Sequence, residues 1–269
     1  MQKLASLSLA IEYCRNHLWH KGKVVQPDKW QGIEAPTRMM EVRNLFFTAP
    51  MPNEKEELVN QVQPNLPWAD VHFDERISGM PLNPGESYKI WPFYGRDDKM
   101  RNENKKFSHT YMERFWPKFA GEPEDYRIAG DEGYYQGKFA HNTGIRYDYG
   151  DLMDVVHLLR DFGNARQAFL PVWFPEDTGA LHGGRVPCTI GYWFYLNEGK
   201  LDVTYLIRSC DFLRHFQDDI YLAVRLADYV TSELEADGTT AILGDFSMWI
   251  GSLHIFAAEA NRVSKPILK

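Results

Sequence analysis

No stretch of this 269-residue chain approaches the roughly 18–20 consecutive apolar residues that a bilayer-spanning helix needs, so no membrane partner is expected. Cysteine is scarce. Cys14, Cys188 and Cys210 are odd in number, far apart and without a CxxC pair, which excludes a disulfide framework and points to reduced thiols in the cytoplasm. Positive charge is short as well: 30 Lys+Arg against 37 Asp+Glu leave a net charge of −7. Such a surface is poor at wrapping a nucleic acid polymer, although a local basic pocket can still hold a small anion. The first eighteen residues carry Glu12 and Arg15 inside their apolar pattern and no small-residue cleavage site, so no secretory leader is read there. Nine histidines form no HExxH, HxH or Cys/His cluster, and no metal is expected. Gly133–Lys138 lacks the glycine spacing of a phosphate loop, and Phe139 stands where the Mg²⁺-binding Ser/Thr would be. Internal repeats and low-complexity tracts are absent.

What is present is enough to fold. Hydrophobic residues make up 44% and aromatics 14%, sufficient for a single domain spanning 1–269. Leu4, Leu7, Ile11, Cys14 and Leu18 have helical spacing and predict an opening helix. Eight prolines between 26 and 90 argue against long regular elements there, apart from a short strand around Val42–Phe47. Residues 96–133 read as a charged surface insertion. Leu152, Val155, Val156, Leu159 and Phe162 predict a helix, and Ala168–Phe174 a buried strand. Ile190–Leu196 and Leu201–Ile207 flank Asn197-Glu198-Gly199-Lys200, a hairpin signal. A longer helix follows over Ile220–Val230, then two closing strands, Phe246–Ile250 and Leu253–Phe256. The class is α/β or α+β with a mixed sheet.

One constellation carries chemistry. Val186-Pro187-Cys188-Thr189 precedes the hairpin, and the hairpin ends in Arg208-Ser209-Cys210-Asp211. With its turn near residue 198, antiparallel pairing brings Cys188 and Arg208 side by side. A guanidinium next to a thiol favours the thiolate, the form in which cysteine is a nucleophile. Asp218-Asp219 and Gly251-Ser252-Leu253-His254-Ile255-Phe256 complete the series. In order and spacing this series resembles the thymidylate synthase family, and most closely its cytidylate hydroxymethylase branch, over about Asp151–Arg262.

The resemblance implies a mixed sheet with flanking helices, in a homodimer packed through the sheets. It makes Cys188 the nucleophile. Arg208 and Ser209 become phosphate ligands, with Arg166 reaching the phosphate from the other subunit. The family has two consecutive arginines there and this chain has Arg166-Gln167, so one ligand is missing or supplied elsewhere, for which Arg185 is a candidate. Lys29 resembles the family's early basic phosphate ligand, and a solvated loop lysine is the alternative. Asp211 would meet the folate pterin, and Trp91 of Ile90-Trp91 would pack under the folate. His254 would lie near the sugar. The family tyrosine two residues later is Phe256 here, which leaves ribose and deoxyribose both open. The resemblance also implies a catalytic glutamate from the N-terminal half, for which Glu75 is the best-placed carboxylate and Glu41 the runner-up.

The base-reading position is Asp219. Thymidylate synthases carry asparagine there, which accepts from uracil N3–H and donates to O4. A carboxylate only accepts, so it suits the cytosine amino group and a protonated N3, as in the cytidylate hydroxymethylases. The plainer alternative is a cap for a helix beginning at Ile220. The implied reaction starts with Cys188 adding to C6 of the pyrimidine, which makes C5 nucleophilic. C5 then takes the one-carbon unit from 5,10-methylenetetrahydrofolate, with Glu75 helping through water to remove the C5 proton. Water capture gives 5-hydroxymethylcytidylate from CMP or dCMP. Hydride transfer would give a methyl group instead, on dUMP or dCMP, and a non-catalytic nucleotide-binding protein is the rival from another class.

Overall fold

The computed structural model describes residues 2–27, 29–30, 33–34, 38–92, 105–117, 150–174, 177 and 186–265. In chain order its elements are β1 (Gln2–Lys3), α1 (Leu7–Lys21), β2 (Lys23–Val25), β3 (Lys29–Trp30), β4 (Ile33–Glu34), β5 (Met39–Pro50), α2 (Lys55–Val62) and α3 (Trp68–Arg76). There follow α4 (Tyr111–Phe115), α5 (Leu152–Phe162), β6 (Phe169–Pro171), β7 (Thr189–Asn197), β8 (Lys200–Ile207), β9 (Cys210–Asp211), α6 (Phe216–Ala236) and β10 (Ile242–Phe256). Two compact units result: 1–65 with 158–169 and 188–269, and 66–157 with 170–187.

The first unit is built on a mixed sheet in the order β1-β5-β10-β8-β7, with β2 beside β5 and β9 beside β10. β10 runs antiparallel to β5 and parallel to β8, and β7 and β8 form the expected hairpin. One face is the core. Phe47, Met248, Tyr205 and Tyr192 form a buried row across four strands, and the two tyrosine rings stack at 4.8 Å. The Phe216 ring of α6 meets Phe47 at 6.5 Å on this face. The opposite face carries Phe46, Trp249 and Leu206 in one row and Thr48, Ser247, Thr204 and Trp193 in the next. Among these, Trp193 is 46% exposed.

Three expectations are corrected. The proline-rich region holds a 12-residue strand and two helices, because its prolines punctuate elements: Pro50 ends β5 and Pro67 caps α3. The two closing strands are one 15-residue strand, β10. Gly251 lets it pass, since a Cβ there would meet the Arg208 carbonyl oxygen at 2.8 Å. α6 begins at Phe216 rather than Ile220, with His215 as its N-cap.

The described part of the charged segment, 105–117, belongs to the second unit and buries Phe107, Met112, Phe115 and Trp116. Its short helix α4 is closed by a capping box between Thr110 and Glu113. The rest of that segment, Arg185, the Gly133–Lys138 stretch and residues 266–269 lie outside the described residues. No described helix is long and apolar enough to cross a membrane.

Candidate active site

The hairpin delivers what its sequence promised at the backbone level. The Arg208 amide donates to the Cys188 carbonyl at 2.9 Å, extending the β7–β8 ladder by one step. A register shift between Thr189 and Gly191 lies just inside it, and Thr189 Oγ1 and the Tyr205 hydroxyl pair at 2.8 Å in the core. Cys188, Arg208 and Ser209 are half-buried at this end of the sheet. Gly251 brings β10 against the Arg208 main chain.

β9 places Cys210 and Asp211 next to Leu253 and His254 of β10. Across the other edge of β10, His254 faces Glu41 of β5. The runner-up carboxylate Glu41 and the folate candidate Asp211 therefore flank His254 on one face of three strands. Burial holds the His254 pKa below the ordinary histidine value, opposed by Asp211, the Ser252 backbone and Glu41, while Arg214 adds to the lowering.

Asp219 lies in the first turn of α6, its amide donating to the His215 carbonyl at 2.7 Å. The cap position is His215, so capping does not explain this aspartate. Cys210 donates its thiol hydrogen to Asp219 Oδ2 at 3.4 Å. Burial, then Asp219, Asp211 and Cys188 in turn, push the Cys210 pKa well up, so this cysteine is a protonated donor and not a second nucleophile. Asp218 acts elsewhere, its two oxygens accepting from the Asn65 amide and side chain, both at 2.8 Å.

Asp211 is held by a partner the sequence did not single out. Oδ1 accepts from the Leu213 and Arg214 amides, and Oδ2 accepts from Arg214 Nη1 at 3.0 Å. Arg214 also grips Glu259 through two nitrogens, at 2.8 and 3.0 Å, and lies 4.6 Å from the Phe256 ring centroid. Phe256 thus has a role of its own, as the apolar plate beneath a guanidinium. These bonds use three of the roughly four acceptor directions of the Asp211 carboxylate. The pair closes the turn between β9 and α6, where the Asp211 side chain also accepts from the turn amides.

Arg166 is exposed in the turn before β6. Lys29 lies on β3, paired with Glu34. Glu75 and Trp91 belong to the second unit. Trp91 is half-buried, its ring meeting Tyr88 edge-on at 6.1 Å. Glu75 is buried on α3 and accepts from the Ser87 amide at 3.0 Å and from the Ser87 hydroxyl. No group of three or more His, Cys, Asp or Glu that could hold a metal occurs among the described residues.

The thermostable thymidylate synthase A from Bacillus subtilis is similar in fold, with a TM-score of 0.57 over 96% of this chain and 83% of that chain, at 14% sequence identity. The thymidylate synthase family model matches residues 86–269, well over half of the sequence and the whole stretch that carries Cys188, Arg208-Ser209-Cys210-Asp211, Asp219 and His254. The chain belongs to the thymidylate synthase family.

Proposed function

We propose that this family member hydroxymethylates C5 of a cytidylate, CMP or dCMP, with 5,10-methylenetetrahydrofolate as co-substrate. Membership itself carries the coarser statement, a folate-dependent one-carbon transfer to C5 of a pyrimidine nucleotide. The observation that carries the finer one is Asp219. It is no cap, and its Oδ2 takes the Cys210 thiol hydrogen. An acceptor-only group of this kind matches the cytosine amino group and a protonated N3, and it mismatches uracil O4.

In this reading Cys188 attacks C6, and Arg208 favours its thiolate and, with Ser209, binds the phosphate. His254 meets the sugar, Asp211 and Trp91 receive the folate, and Glu75 accepts the C5 proton through water. The Cys188 and Arg208 main chains pair at the end of the hairpin, and a bare nucleotide-binding protein has no need of a thiolate, which favours an enzyme. The half-buried Phe46, Trp249 and Leu206 and the exposed Trp193 on the second sheet face support a homodimer packed through the sheets, in which the exposed Arg166 serves the partner's site.

The test is to incubate the protein with C5-tritiated CMP, dCMP, UMP and dUMP plus methylenetetrahydrofolate, following tritium release and product mass. A hydroxymethyl product from a cytidylate is expected. A methyl product, or release from uridylates alone, would replace this reading with that of a methylating synthase.

A further inference from the structure

The second unit holds a chain of buried polar groups whose protons can point only one way. α3 puts His72, Glu75 and Arg76 on one face by i,i+3 and i,i+4 spacing. The 3₁₀ turn Glu86–Lys89 lays Ser87 against that face. The turn comes so close that a Cβ on Gly85 would overlap the Glu75 carboxyl group. Arg76 Nη2 lies 3.0 Å from His72 Nε2, and His72 Nδ1 lies 3.0 Å from Ser87 Oγ. The Ser87 hydroxyl and amide both end on the Glu75 oxygens.

Arginine has donors and no acceptor. His72 Nε2 must therefore offer its lone pair to Arg76, and the ring hydrogen must sit on Nδ1. Ser87 Oγ then accepts from His72, and its own hydrogen goes to Glu75. Every link donates toward the carboxylate. The chain is buried, most fully at Ser87 and least at Glu75: Ser87 is 0% exposed, His72 3%, Arg76 4% and Glu75 9%. Trp68 stacks on His72 at 4.9 Å, the Tyr88 and Tyr111 rings meet it edge-on, and the Arg76 guanidinium lies 3.9 Å from the Tyr111 ring centroid. Burial foremost, and the Arg76 charge second, keep the His72 pKa well below the ordinary value, so the ring is neutral as this order of donors requires.

We propose that His72 and Ser87 are positioning residues for Glu75, and that Arg76 fixes the direction of the hydrogen bonds between them. This rests on Glu75 being the catalytic carboxylate. The chain specifies how that carboxylate works: both donors of Ser87 hold it as an acceptor, with its remaining lone pairs left for the water that takes the C5 proton. Glu75 is thereby a proton acceptor in the step and not a donor.

Two measurements test it. ¹⁵N NMR of the wild-type protein should show the His72 ring as the neutral Nδ1–H tautomer, and an Nε2–H tautomer would overturn the proposal. Ser87→Ala should lower the maximal rate of C5 tritium release roughly tenfold or more, while the nucleotide Kd stays within about twofold. An unchanged rate would also overturn it. Glu75→Gln separates the two ideas. If it releases tritium at the wild-type rate, the reading of Glu75 itself fails. If it is inactive while Ser87→Ala keeps full rate, only the positioning chain fails. Should Ser87→Ala not fold, the tautomer measurement decides.

Discussion

An ionised carboxylate at position 219 can accept hydrogen bonds and donate none, whereas an amide does one of each. Asp219→Asn should therefore move the kcat/KM ratio from cytidylate toward uridylate by about tenfold or more, since a mismatched buried polar pair costs roughly 1–3 kcal/mol. The ratio measured in both proteins checks this, and an unchanged ratio means that the base is read elsewhere. Cys210 bears on the same choice, because its thiol holds one oxygen of that carboxylate. Cys210→Ala should weaken cytidylate discrimination, and Cys210→Ser, which keeps a donor, should preserve it. Competition between CMP and UMP in one reaction measures both variants.

Elements show where the sequence was legible. The β7–β8 hairpin was readable because alternation and an Asn-Glu-Gly-Lys turn are local signals, and the Cys188–Arg208 pairing followed from its register. β5 and α3 were obscured by prolines that stand at their ends, and α2 by prolines in the loops on either side of it. β10 was split in two by Gly251-Ser252, whose reason is tertiary: the strand must clear the Arg208 carbonyl. Gly251→Ala should consequently cost about 1–3 kcal/mol in denaturant unfolding and reduce turnover by shifting Arg208. The ion pair of Arg214 with Glu259 was invisible because its partners are 45 residues apart.

Strand packing also sets a pH dependence. His254 between β5 and β9, and His72 on α3, are buried with depressed pKa values. The unfolded chain takes up these protons near pH 6.5 and the folded chain resists them, so the unfolded state binds more protons below that pH. Stability should be fully present above about pH 6.5 and fall as the pH drops below it, by at most about 1.4 kcal/mol per pH unit for each histidine. Thermal midpoints between pH 7 and 5 should show this slope, and His254→Asn should flatten it.

For the whole molecule, the proposed assembly is a dimer packed through the sheets with shared sites. The protein should sediment as a homodimer at micromolar concentration. Mixing Arg166→Ala subunits with Cys188→Ser subunits should restore activity in heterodimers, because one of the two sites regains both groups. The central claim is that Cys188 opens the reaction by activating C5 of a cytidylate. C5 tritium release from labelled CMP or dCMP, compared between the wild type and Cys188→Ser, tests it most directly. The account predicts release by the wild type and none by the variant, with nucleotide binding retained. Equal release by both proteins, or none from any cytidylate by the wild type, would contradict it.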